Sequence, residues 1–357
     1  MRKAPTPVTI SRRSRELRQS LFTLPKPQQR KVHEMTDGPP PPLPPRASGA
    51  DSHHRTVITV PAVGMLIILG LCFGGMFPLN KAVTGGGVPV IAYVFWQALG
   101  ATLIVFAICV ARRTMPPIFS WRAHKTYVAL ALLNFVVPFT VLALAAPRVP
   151  PGVLSIGLAL IPVLIYAIML PFHLERFRYY KLAGLLFGLA GVLLVLLPRA
   201  SLPSPDMAGW VALGLIAPVS WALRSVLLPH LRPPGMKSLP LIAGLLATST
   251  VILAVIMLVS GETWAFSEGF GLTEGAIIIA MVNNAIMLIL VYELIQLTGP
   301  LFFSTSNYIA TLVGVGLGIA LFGDQPSIWV WLAVILVFCG LFLVNFWEWA
   351  FHRQPTA

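Results

Sequence analysis

The chain has 357 residues, of which 57% are hydrophobic and only 10% charged, with a mean hydropathy of +0.82; this excludes an ordinary water-soluble globular domain. The net charge of +13 does not point to nucleic acid, because 11 of the 25 Lys and Arg residues fall in the first 55 positions and nearly all the rest lie between apolar runs. Charge placed that way sets membrane topology rather than reading a groove.

Residues 1–56 are basic and Pro-rich, with PPPPLPP from Pro39 to Pro45, too poor in apolar residues to bury a core. They are expected to form a disordered or polyproline II cytoplasmic tail. An Arg- and Ser-rich start also fits a transit peptide, Met35 is an alternative start, and Pro41 to Arg46 fits a PxxPxR ligand. A plain tether is the simpler reading.

Ten apolar runs follow: Val57 to Leu79, Val88 to Ala111, Thr126 to Ala146, Gly152 to Phe172, Leu182 to Leu197, Met207 to Leu228, Leu239 to Ser260, Gly275 to Leu297, Pro300 to Phe322 and Ile328 to Trp347. Each is close to the ~20 residues that cross a hydrocarbon core. Helices are required, since backbone amides in lipid must be satisfied within the segment, and no alternating ten-residue pattern suggests a barrel. With the N-terminus inside, 22 of the 25 Lys and Arg residues are cytoplasmic and only Lys81, Arg148 and Arg199 lie outside. The positive-inside rule therefore puts both termini, including the short 349–357 tail, in the cytoplasm. Cys72, Cys109 and Cys339 lie within apolar runs without CxxC spacing, so neither a disulfide framework nor a zinc site is expected, and no cofactor.

At an offset of 149 the chain pairs Asn134 with Asn283, Pro151 with Pro300, Ser155 with Ser304, Glu175 with Asp324 and Gly191 with Gly340. A five-helix repeat, 57–198 and 207–348, enters the membrane from opposite sides in its two copies. The fold class is accordingly all-α, a polytopic membrane protein of ten transmembrane helices in two inverted five-helix repeats, with a site near the midplane between them.

Ala145 to Pro198, AAPRVPPGVLSIGLALIPVLIYAIMLPFHLERFRYYKLAGLLFGLAGVLLVLLP, resembles the paired-helix signature of the drug/metabolite transporter superfamily, EamA type, and the second half from Leu297 to Val344 resembles it again. The most specific marks are Pro162, Glu175, Gly191, Asp324 and Gly340. Ser220-Trp221 fits the family's second-half Trp motif, while the first half has Cys72-Phe73 there. The resemblance implies a carrier of small organic metabolites or drug-like compounds in the cell membrane, the inner membrane in a bacterium, and favours export over import.

Polar groups at mid-membrane depth face the bundle interior or a cavity. Asn134 and Asn283 are the leading substrate-cavity candidates, with interhelical hydrogen bonding as the competing reading. Trp96, Gln97, Trp221, Asn307 and Tyr308 add stacking faces and hydrogen bonds. Glu293 and Arg224 lie at similar depth and could form a gate-like ion pair, or Glu293 could take up a coupling proton. Ten residues from Asn283, about 80° round the helix, Glu293 shares its face with Asn283 and not with Asn284. Pro162 and Gly157, with Gly314 and Gly318, suit bending or close packing. Glu175 and Asp324 read as loop caps.

The expected function is secondary transport by alternating access. The expected partners are a small solute and the bilayer, with a homodimer left open and no nucleic acid. A receptor or scaffold is the rival, and a membrane-embedded transferase is disfavoured because no carboxylates cluster in a DxxD-like group near an apolar run. With one candidate cavity cation, neutral, zwitterionic or weakly cationic solutes rank first.

Overall fold

The computed structural model describes residues 60–117, 120–173, 177–196, 207–266, 271–304 and 306–351. The N-terminal tail with its PxxPxR stretch, Met35, Glu175 and the last six residues lie outside them. Every regular element among the described residues is helical. In chain order they are α1 (Val60–Gly85), α2 (Val90–Ala111), α3 (Trp121–Ala145), α4 (Pro151–Met169), α5 (Tyr179–Leu196), α6 (Met207–Leu231), α7 (Ser238–Ser260), α8 (Leu272–Ser304), α9 (Ser306–Phe322) and α10 (Ile328–Phe351).

Seven segments, namely α1 to α4, α6, α7 and Leu272–Ile295 of α8, are long and apolar enough to cross a membrane. Three apolar stretches, Leu182–Gly191, Ser306–Phe322 and Ile328–Gly340, are shorter. By length and composition, seven helices among the described residues qualify as membrane spans, and ten is an expectation beyond that. Large apolar side chains such as Leu103, Leu186, Val251 and Leu258 stand exposed on the outer faces, the inverse of a water-soluble surface and what lipid contact requires.

Lipid offers apolar side chains no hydrophobic reward for meeting one another, so helices associate through close packing and interhelical hydrogen bonds. On α10, a Cβ built at Gly340 would sit 2.6 Å from the Gly184 carbonyl oxygen of α5. At Gly314 of α9 the obstacle is Ser155 of α4, 2.5 Å away. There the crossing is also sewn by a reciprocal pair: Ser155 Oγ donates to the Thr311 carbonyl at 3.3 Å, and Thr311 Oγ1 to the Ser155 carbonyl at 3.2 Å.

Three irregularities follow from local chemistry. Helix α4 tightens to 3-10 over Gly157–Leu160 just before Pro162. Proline has no N–H for the Leu158 carbonyl four residues back, and the Ile161 N–H takes that acceptor instead. Helix α3 widens to a π turn over Leu132–Val136, ahead of Pro138. In α8 the break expected near Thr298 is absent, and Leu272–Ser304 is one helical stretch. It bends, because Met287 and Phe303 line one small cavity although sixteen residues of straight helix would separate them by about 24 Å. Thr298 donates its hydroxyl back to the Leu294 carbonyl at 2.8 Å, a bond that favours bending, and Pro300 follows without an N–H.

Candidate central cavity

The π turn places Asn134 at the centre of the bundle, 1% exposed. Such turns are rare and gather at functional sites. Pro138, four residues on, cannot donate to the Asn134 carbonyl, and the Trp221 indole Nε1 of α6 reaches it at 3.1 Å. One turn along α6, the Arg224 guanidinium donates to Asn134 Oδ1 at 2.7 Å and to Ser225 Oγ at 3.3 Å.

These residues face a small cavity. Its lining includes Phe73 of α1, Asn134 and Phe139 of α3, Trp221 and Arg224 of α6, and Asn307 of α9, with apolar side chains of α4 and α8 completing it. The Trp221 ring stands edge-on to Phe73 and Phe139, with centroids 5.9 and 6.2 Å away, a geometry aromatic quadrupoles favour. The space left is about 20 Å³, enough for little more than one water.

At the end of the bundle carrying Arg112, Arg232 and Lys237 a wider opening of about 610 Å³ is lined by those three cations and by Glu293 of α8. At the opposite end, Lys81 Nζ of α1 lies 3.2 Å from Asp324 Oδ1 beyond α9 and 4.6 Å from the Phe322 ring centroid. Asp324 thus holds a helix partner of the other half of the chain rather than acting only as a loop cap.

Of the sequence-derived cavity candidates, Asn134, Trp221 and Asn307 come together. Gln97 is buried elsewhere, accepting at 2.6 Å from Asn284 Nδ2. Trp96 donates to the Trp264 carbonyl at 3.0 Å and packs against Phe266, and Tyr308 packs against Phe338 of α10. Asn283 Nδ2 donates to the Cys72 carbonyl at 3.1 Å. Among the described residues no ion pair joins Arg224 to Glu293: they line different spaces, and Arg224 is held by Asn134. Gly191 and Gly340 are both buried. Phe73, Phe139, Asn284 and Tyr292 were not singled out by sequence. Phe73 neighbours the Cys72 that replaces the family's first-half Trp, which was the available signal.

Residues 60–197 match the model of the EamA-like transporter family. Members of that family are transporters, not enzymes. Comparison with curated proteins found no match. A solved structure described as "Crystal structure of protein" superposes with a TM-score of 0.58 at 18% identity, covering 82% of this chain and 99% of that one. At that identity the likeness speaks for the fold alone.

Proposed function

We propose, from the premise that residues 60–197 form an EamA-like transporter unit of a multi-pass membrane protein, that the whole chain carries a small organic solute across the membrane by alternating access. In this reading residues 57–198 and 207–348 are two inverted five-helix halves, ten crossings in all, with the 1–56 and 349–357 tails cytoplasmic. Export is the favoured direction on the family resemblance.

The single supporting observation is the composition of the central cavity: α1, α3 and α4 of the first half and α6, α8 and α9 of the second all contribute to its wall. A relative rocking of two halves would open such a space without unfolding either. The Lys81–Asp324 pair then acts as a latch at the outer end, and Glu293, in the basic opening at the inner end, is the proton-coupling candidate. Asn134, Trp221 and Asn307 are the solute contacts.

The test is reconstitution of purified protein into liposomes loaded with a mixed metabolite extract, with released solutes followed by mass spectrometry. Faster release of at least one solute class than from protein-free liposomes is expected. Equal release for every solute, from vesicles whose protein is folded, would remove the transport reading in favour of a receptor or scaffold.

A further inference from the structure

Among the described residues lining the central cavity, Arg224 alone carries a formal charge. Arg224 is 8% exposed, and among the described residues no carboxylate lies within ion-pair distance of it. Its guanidinium is met only by two neutral oxygens, Asn134 Oδ1 and Ser225 Oγ, and its Nε has no partner. Glu293 lines the basic opening instead, and Asp324 is taken by Lys81 at the far end.

A guanidinium removed from water without a counter-charge is costly, and a structural role would be served as well by a paired or neutral side chain. A further orphan group points the same way. Asn134 Nδ2, in the cavity wall, is a buried donor with no partner. The Asn307 carboxamide in the same wall offers an acceptor as well as a donor, so it is the charge of Arg224 that sets the sign of the site; the unmet acceptor oxygens of Asn284 and Asp324 belong to side chains outside it. A wall with spare donors and a spare positive charge is built for an acceptor that brings negative charge.

We propose that the solute is an organic monocarboxylate with an apolar ring or short hydrocarbon body. The carboxylate meets Arg224 and Asn134, whose N–H groups suit its planar pair of oxygens, and the body lies against Phe73, Phe139 and Trp221. A free ammonium finds no acidic partner in this wall, which sets amines and amino acids behind simple acids. A phosphate dianion would bring two charges to one arginine. The assignment rests on the transporter reading above and reverses the ranking of neutral and cationic solutes suggested by sequence.

The experiment uses the full-length protein, in detergent for thermal-shift binding and in liposomes for flux. The probes are benzoate, phenylacetate and 3-phenylpropionate, their primary amides, benzylamine and phenethylamine, and phenylalanine. At least one acid is expected to raise the melting temperature and to be carried, with its amide weaker by about tenfold to a hundredfold, the effect of one lost charge-assisted hydrogen-bond set. Arg224→Gln should remove the preference of acid over amide and Arg224→Lys should keep part of it; if Arg224→Gln does not fold, the acid-to-amide ratio in the wild-type protein decides alone. Amides or amines bound and carried as well as the acids would overturn the monocarboxylate while leaving a transporter standing. No binding or flux of any probe, together with no release from extract-loaded liposomes, would overturn both.

Discussion

The bond between Arg224 and Asn134 yields the most direct energetic prediction. Asn134→Leu removes the only side-chain oxygen among the described residues within 3 Å of the guanidinium, leaving a buried charge with Ser225 as its remaining partner there. Losing a hydrogen bond to a charged group and leaving that group unmet costs about 2–3 kcal/mol. Arg224→Met removes the charge altogether and leaves a neutral amide oxygen unmet, a loss of about 1 kcal/mol. In the double variant neither group is stranded, and exchanging a buried polar pair for apolar side chains of similar size is close to neutral. The two substitutions should therefore be strongly non-additive, with the double variant at least about 2 kcal/mol more stable than the sum of the single losses predicts. Equilibrium unfolding of the four proteins in mixed micelles, followed by tryptophan fluorescence, measures this. Losses that add to within about 0.5 kcal/mol would show that the guanidinium does not depend on Asn134, and the picture of a stranded central charge would be wrong.

Three further outcomes are expected. Gly340→Leu should lower the yield of folded protein and its melting temperature in detergent, because its Cβ meets the backbone of α5, which cannot move aside as a side chain can; a wild-type melting curve would refute that crossing. Asp324→Asn costs at most about 1 kcal/mol of stability, as Lys81 and Asp324 are both partly exposed, yet should speed thiol labelling of a Val153→Cys probe in the same cleft; unchanged labelling would rule out the latch. Glu293→Gln should abolish dependence of flux on a pH gradient while leaving binding detectable, and persistence of gradient-driven flux would exclude this carboxylate as the coupling group.

Seven of the ten expected spans were legible in the sequence because a hydrocarbon core imposes a length, and a run such as Val90–Ala111 carries no charge at all. The site was only partly legible, and the reason is geometric. Position along a helix gives depth in the membrane, which is why Asn134 is placed at mid-membrane depth and Arg224 and Glu293 at one similar depth. It does not give the direction in which a side chain points once helices bend. Glu293 and Arg224 share a depth, yet one faces the basic opening and the other the cavity. Asn283 and Asn284 differ by one residue and about 100°, and they reach different partners, Cys72 and Gln97. The π turn at Asn134 rotates everything beyond it relative to a regular helix, and no periodicity rule anticipates that rotation.

The offset of 149 adds a last constraint. Asn134 touches Trp221, and Asn283 touches Cys72; 283 − 134 and 221 − 72 are both 149, so each asparagine meets the equivalent position of the other half. The contact is kept although its chemistry is inverted, a carbonyl accepting in one half and a carboxamide donating in the other. Arg224 breaks the rule, because 224 − 149 is 75 and that position is Gly75, with nothing within 4 Å of where a Cβ would stand. On the proposed reading of two inverted halves, a scaffold built twice supplies shape twice. A charge present in one copy alone cannot be required by that shape, and this is the physical reason to read Arg224 as belonging to the solute rather than to the fold.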